Sequence, residues 1–159
     1  MVKKKNRTVL ELNLGHKAQL KNVLIEREKE TAIADFMASH FFCCDDLAPP
    51  FILNLNINEH YIVFHVENTE DTIKVNLSLL SFKRILKDYF TICESYYSAL
   101  SALKPDQLEA IDFGRKSIHD EGADILKTQL NPKIKIDFET SRRLFTIICV
   151  CLIGHQWRL

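Results

Sequence analysis

The sequence is poor in residues that interrupt secondary structure and has no excess of either charge. It contains four glycines and four prolines in 159 residues. Lysine plus arginine and aspartate plus glutamate both number 21, so the formal net charge is zero. A protein that binds duplex nucleic acid usually has a basic excess, so nucleic-acid binding is disfavoured. The local exception is a basic arm at residues 1–7, which we expect to be flexible, or to contact phosphates or anionic lipid only weakly.

Long apolar runs and disulfide patterns are also missing. The longest apolar run, residues 144–153, has only about half of the ~20 residues that a membrane span needs. The chain has five cysteines, an odd number, and no apolar core of an export signal within residues 1–20. We therefore expect a cytoplasmic protein with reduced cysteines and without a membrane span.

No motif for a metal, a nucleotide or covalent catalysis stands out. Cys149 and Cys151 are two residues apart on a predicted helix, so they point in different directions and cannot share a metal. His40, Cys43 and Cys44 lack the further pair that would complete four ligands. A phosphate-cradling glycine loop and a nucleophile elbow are absent from the sequence. We expect no cofactor and no metal, and enzymatic activity is not favoured.

Alternation of apolar and polar side chains predicts four strands. In residues 8–14, Leu10, Leu12 and Leu14 share one face. Three further strands lie between residues 51 and 79, joined by short polar connections that favour antiparallel pairing. Only one face of each strand is apolar, so we expect a four-stranded antiparallel sheet covered by helices on that face. Residues 43–50 are predicted to form a loop.

Helical periodicity predicts four helices, which gives an α+β fold of order β-α-β-β-β-α-α-α in a single domain over residues 1–159. The predicted helices cover residues 19–40, 81–103, 105 onward and 138–153. Pro105 occupies a first helical position, and Asp137 is predicted to cap the last helix. Gly114 and Gly122 share the packed face of the third helix, which indicates either close approach of another backbone or a helix that ends near Gly122.

Three stretches of the chain resemble a known protein family. They are residues 82–97 (FKRILKDYF and ICESYY), 109–122 (EAIDFGRK and HDEG) and 137–150 (DF and RRLFTIICV). Together they resemble uncharacterised protein family UPF0262, a group of small alphaproteobacterial proteins. The resemblance is specific over about residues 82–150, whereas the Cys43-Cys44 segment and the tail after Cys151 depart from it. It implies a bacterial cytosolic protein, and it implies no activity and no catalytic residue.

Charged side chains on the third and fourth helices form a candidate polar cluster. Asp112, Arg115 and His119 fall within about 60° of one another on a helix, and Glu121 lies nearby. Arg142 falls among apolar residues of the last helix. An inward-facing guanidinium needs a partner because arginine stays charged. We therefore predict that both arginines are mostly buried and converge on shared acidic or anionic partners.

Two interpretations of this cluster lead to two functions. The favoured one is a structural ion-pair network in a non-catalytic interaction or regulatory module. Such a module would use the apolar C-terminal helix in its own core or as the interface with a protein partner or a second copy. The alternative is a site in which Arg115 and Arg142 bind a carboxylate or phosphate and His119 adds acid–base capacity. The protein would then be an enzyme or a binding protein for a small anionic metabolite.

Overall fold

The structure is a computed structural model that describes residues 7–15, 23–102 and 104–154. Its elements in chain order are β1 (Val9–Leu14), α1 (Val23–Ala38), β2 (Phe42–Cys44), β3 (Phe51–Ile57), β4 (Tyr61–Glu67), β5 (Thr72–Ser78), a 3-10 turn (Leu79–Ser81), α2 (Lys83–Ser101), α3 (Pro105–Leu130), β6 (Ile134–Ile136) and α4 (Phe138–Gly154). The predicted α+β class is confirmed. Most of the predicted basic arm, residues 19–22 of the first predicted helix and residue 103 lie outside the described residues.

The main sheet has the strand order β1-β3-β4-β5. Both hairpins, β3–β4 and β4–β5, are antiparallel as predicted. The first strand is present where it was predicted, but its predicted antiparallel orientation is wrong, because β1 pairs with β3 in parallel. A parallel pair needs a crossover of a dozen or more residues, and the connection through α1 and β2 supplies it. The sheet is therefore mixed.

A β-bulge in β1 changes which side chains face the core. The register with β3 shifts between Val9 and Glu11, so Leu10 is an extra residue. Val9 is 2% exposed and Leu10 is 64% exposed. The predicted apolar face is therefore wrong at Leu10, although Leu12 and Leu14 pack against the core.

A second, two-stranded sheet joins β2 to β6 in antiparallel orientation. Cys43 and Cys44, which were predicted to lie in a loop, belong to β2 and pair with Lys135 and Ile134. Strands of three residues are too short for an alternating pattern to be visible in sequence. This small sheet ties the segment before β3 to the start of α4.

One buried face of the main sheet packs with the helices in a single hydrophobic core. The inward side chains of β3, β4 and β5 are buried, except for the partly exposed Ile73 of β5, and the opposite faces are partly or fully exposed. The α4 side chains from Leu144 to Leu152 are buried except for Thr146 and Cys151, which are partly exposed. This helix is therefore central to the chain's own core, and its use by a partner or second copy stays a prediction. None of the described helices combines the length and apolar character that a membrane crossing requires.

The α3–α4 contact depends on a glycine. Helix α3 continues past Gly122 to Leu130, and the ring of Phe145 lies directly over Gly122. A Cβ atom at this glycine would overlap the ring. Of the two explanations predicted for the glycines, close approach is therefore correct at Gly122. Asp137 caps α4 as predicted, accepting a hydrogen bond from the Thr140 amide at 2.8 Å.

A buried histidine joins the end of α1 to β1. The ring of His40 is stacked on Phe36, with centroids 4.7 Å apart, and is fully buried. Its Nδ1 lies 2.8 Å from the Phe36 carbonyl, and its Nε2 accepts a hydrogen bond from the Val9 amide at 3.0 Å. Because Nε2 is an acceptor, Nδ1 carries the proton and donates to the carbonyl. Burial lowers the pKa of His40 below its ordinary 6.5, so the ring is neutral.

Replacement of His40 by phenylalanine should keep the stacking and lose both hydrogen bonds. We expect His40→Phe to lower the free energy of unfolding by about 1–3 kcal/mol, because a buried amide and carbonyl lose their partners. The exposed His60 gives a matched control, and His60→Phe should change stability by less than about 0.5 kcal/mol. Urea denaturation measures both, and equal effects of the two variants would contradict the role of His40.

The same variant should change how stability depends on pH. The pKa of His40 is lower in the folded protein than in the unfolded chain, so the unfolded chain takes up the proton first as the pH falls. The stabilisation that neutral His40 provides is therefore complete above pH 6.5 and is lost below it. That loss reaches at most about 1.4 kcal/mol per pH unit for one proton. Acid-induced loss of stability between pH 6.5 and 5 should therefore be smaller in His40→Phe than in the wild type.

The two glycines of α3 allow a paired test of the α3–α4 contact. Gly122→Ala should destabilise the protein by about 1–3 kcal/mol, because the ring of Phe145 cannot be accommodated. At Gly114 an added Cβ would meet only the terminal carbon of Ile92, at 2.8 Å, which is the flexible end of a side chain. Gly114→Ala should be neutral or stabilising by up to about 1 kcal/mol through helix propensity. Thermal unfolding compares them, and similar losses in both would argue against this packing.

Candidate functional site

A cleft of about 440 Å³ lies between α1 and α4, with one side formed by α3. Three arginines and three carboxylates line it: Arg27, Glu28, Asp35, Glu139, Arg142 and Arg143. His119 and Thr146 add uncharged polar groups. The two walls are joined at one end, where Arg143 Nη1 donates a hydrogen bond to the Ser39 carbonyl at 2.6 Å.

His119 lies in the wall of this cleft with one ring nitrogen unused. Its Nε2 makes a very short contact with the Thr146 hydroxyl, which in turn donates to the Arg142 carbonyl at 3.1 Å. A hydroxyl has one hydrogen to donate, so Nε2 carries the imidazole proton and donates to Thr146. The other nitrogen, Nδ1, is a buried acceptor without a hydrogen-bond partner among the described residues. The ring packs edge-on against Phe145, with centroids 5.4 Å apart, and 6.1 Å from the ring of Tyr89.

The surroundings of His119 hold it in the neutral form. Burial is the main cause that lowers its pKa to about 4, and the positive charge of Arg142 acts in the same direction. Arg115 lowers the pKa further, whereas Asp120 raises it. At neutral pH the ring is therefore an uncharged hydrogen-bond acceptor beside a guanidinium.

Arg142 is only partly engaged by the protein. Its Nε lies 3.0 Å from Asp120 Oδ1, and the side chain is 40% exposed. The two groups form an ion pair by distance, but Nε has no hydrogen bond of acceptable geometry to any described residue. Arg143 differs, because its guanidinium bonds the Ser39 carbonyl and lies 3.9 Å from Glu139. Of these two neighbours, Arg142 is the one whose guanidinium makes no hydrogen bond to a described residue.

Glu28 is a site residue that the sequence analysis missed. Its two carboxylate oxygens accept hydrogen bonds from the hydroxyls of Tyr89 and Tyr97, each at 3.4 Å. Burial, and next the charge of Glu28, raises the pKa of Tyr97 to about 12. In the sequence, Glu28 belongs to the charged stretch 26–30, which interrupts the apolar stripe of α1. The available signal was the need of buried tyrosine hydroxyls for a partner.

One half of the predicted polar cluster forms at the edge of α3. Arg115 donates a hydrogen bond to Asp112 at 3.0 Å, and its guanidinium lies 4.8 Å from the centre of the Tyr96 ring. Lys116 makes a second ion pair with Asp112 at 3.3 Å. The side chains of Arg115 and Asp112 are 27% and 34% exposed, so this is a partly solvated pair.

The predicted convergence of the two arginines is wrong. Arg115 pairs with Asp112, whereas Arg142 pairs with Asp120, so they do not share a carboxylate. Glu121 points away from both and binds Arg84 of α2 at 2.6 Å on the exposed surface. The angular position of a residue around its helix predicts which face of that helix it lies on. It does not predict which residue of a neighbouring helix it contacts. The structure thus brings His119 and Arg142 together and leaves Asp112, Arg115 and Glu121 outside the cleft lining.

The cysteines contribute no reactive group to this cleft. All five are free thiols. Burial raises the pKa of Cys44 to about 12 and those of Cys93 and Cys151 to about 11, so these three are protonated at neutral pH and weakly nucleophilic. Among the residues that the structure describes, no group of three or more histidine, cysteine or acidic side chains is placed to hold a metal ion.

Fold and cleft together define a small α+β protein with a charged cleft between two helices. The model of the uncharacterised protein family UPF0262 matches residues 6–154, and the chain belongs to this family. The resemblance inferred from residues 82–150 is therefore confirmed, and the match extends well before that segment.

Relatives in several alphaproteobacteria are similar over most of their length. A UPF0262 protein of Bradyrhizobium sp. (strain ORS 278) is 47% identical over 130 residues, which cover 79% of this chain and 77% of the relative. One of Paramagnetospirillum magneticum is 40% identical over 129 residues, covering 79% and 82%. One of Xanthobacter autotrophicus is 38% identical over 146 residues, covering 89% and 87%. No solved structure matches the chain significantly.

An NMR titration of the histidine rings tests the electrostatics of the site. We expect His119 to titrate near pH 4, and Arg142→Gln to raise its pKa, because a nearby positive charge is removed. Arg84→Gln is the control, since the Arg84 side chain is 79% exposed and pairs with Glu121 outside the cleft. The control should leave the titration unchanged. An ordinary pKa near 6.5 for His119 would contradict the described environment.

Proposed function

We propose that the cleft between α1 and α4 binds a small anionic metabolite with a carboxylate or phosphate group. The observation that supports this most is the state of Arg142, which lines the cleft, is 40% exposed and has a guanidinium whose only described partner is the ion pair of its Nε with Asp120. Planar guanidinium groups bind such anions through charge-assisted hydrogen bonds. The volume of about 440 Å³ lies within the range of small-molecule sites.

The neutral His119 fits the same function. With Nε2 donating to Thr146, Nδ1 is an acceptor without a described partner, and because it is buried, a ligand hydroxyl or protonated acid would reach it through a local movement of the cleft wall. An anion bound at Arg142 would offset the positive charge that lowers the pKa of His119, so binding should favour proton uptake by the ring. The proposal is one of binding, and it requires no chemical step.

A second candidate is a non-catalytic interaction or regulatory module with a protein partner or a second copy of the chain. The apolar part of α4 lends it little support, because those side chains fill the protein's own core. What favours it is exposed apolar surface, with Phe113 of α3 76% exposed and Leu80 79% exposed.

We also propose that the protein acts as one domain in the bacterial cytoplasm. Its single core cluster contains residues of all four described helices. Its relatives are bacterial, and its five cysteines are free thiols, as is common in a reducing compartment.

A thermal-shift screen against small carboxylates and phosphates tests the proposed binding. A ligand at 100 times its Kd should stabilise the wild type by about 2.7 kcal/mol. Arg142→Gln should remove this shift, yet cost the free protein less than about 1 kcal/mol, because its ion pair with Asp120 is partly solvated. Arg84→Gln, which removes an exposed ion pair elsewhere, should keep the shift. Absence of any shift in the wild type, or a full shift in Arg142→Gln, would argue against the site.

A further inference from the structure

The charges of the cleft suit a ligand that carries both signs. Its lining holds three guanidinium groups and three carboxylates. A purely anionic ligand would gain from the arginines, but it would also enter next to three negative charges. A ligand with an additional positive group would offset that repulsion.

Two of the three carboxylates form no salt bridge with a described cation, although the charge of Arg115 acts on Glu28 from outside the cleft lining. Within the described part of the chain, Glu28 accepts hydrogen bonds from the two tyrosines, and each carboxylate oxygen has capacity for more. Asp35 is exposed and forms no ion pair with a described cation. Glu139 differs, because it lies 3.9 Å from Arg143. Of Glu28 and Asp35, only Glu28 is half-buried. Its attraction to a positive ligand group is therefore less screened by water and stronger.

The guanidinium of Arg142 and the carboxylate of Glu28, the positive and negative anchors for a ligand, lie on opposite walls of the cleft. Glu28 belongs to α1 and Arg142 to α4. They are linked through the interior, since Glu28 bonds Tyr89, whose ring lies 6.1 Å from that of His119. His119 in turn bonds Thr146, one helical turn after Arg142. Both anchor residues line the same cleft of about 440 Å³, so a small molecule that fills it can contact both.

On the basis of the anion-binding function proposed above, we propose that the ligand is a small zwitterion with the chemistry of an amino acid. Its carboxylate binds the guanidinium of Arg142, and its protonated amine binds the carboxylate of Glu28. His119, which also lines the cleft, is neutral and adds no charge of either sign. The hydroxyls of Tyr89 and Tyr97 lie 3.4 Å from the carboxylate oxygens of Glu28, so they donate only weak hydrogen bonds that favour this position of the carboxylate.

Matched ligands separate this proposal from simple anion binding. Calorimetric titration of the wild type would use free amino acids, their N-acetyl derivatives, which keep only the negative charge, and their amides, which keep only the positive one. We expect at least one free amino acid to bind at least ten times more tightly than either derivative. Equal binding of the N-acetyl derivative would overturn the zwitterion and leave the anion site intact. Absence of binding by every carboxylate, or binding of the amides alone, would overturn both.

A conservative variant of Glu28, the proposed partner of the ligand amine, gives a second test. Glu28→Gln keeps an oxygen acceptor for one tyrosine and removes the charge, so it should lower affinity for the free amino acid about ten-fold and leave the N-acetyl derivative unaffected or better bound. Glu26→Gln is the control on the same helix, because Glu26 pairs with Lys29 at 3.8 Å and does not line the cleft. A melt of each free protein verifies folding. If Glu28→Gln retained the full preference for the free amino acid, the assignment of Glu28 would be wrong.

Discussion

The contact between the ring of Phe145 and the backbone at Gly122 is the constraint on which the site depends. It lets α3 and α4 approach closely enough for the buried Ser141 hydroxyl to donate to the Ala123 carbonyl at 2.5 Å. One turn before Gly122, His119 packs on the same aromatic ring and reaches across to α4. The unusual state of this histidine is therefore a result of helix packing, because a larger residue in place of the glycine would push the two helices apart.

Local patterns were enough to predict the parts of the fold that are held by neighbours in sequence. The β3–β4–β5 hairpins and the wide apolar stripe of α2 follow from alternation and helical periodicity, because each pattern reports burial directly. The parallel pairing of β1 and the β2–β6 sheet depend on partners far along the chain. No local signal encodes such a pairing, and the shortness of β2 and β6 hides even their strand character.

In the candidate site, too, local sequence predicts some of the residues that take part but not which distant residues they contact. His119 and Arg142 were predicted because charged groups on an apolar helix face need partners. Which partner each one meets depends on how α3 and α4 are rotated against each other, and periodicity within one helix contains no such information. Glu28 was missed because its neighbours in sequence are charged, so its stretch has the pattern of a solvated surface. Its role follows only from two tyrosines on another helix.

The bulge at Leu10 has a consequence for how the protein behaves at high concentration. Strand β1 is an end strand of the main sheet, and a regular end strand offers amide and carbonyl groups to strands of other molecules. The extra residue breaks the spacing of these groups and twists the strand locally. A foreign strand could then not add to this edge over a long stretch. Leu10, which fits the apolar pattern of the sequence but leaves the buried face, thus makes this edge less favourable for edge-to-edge aggregation.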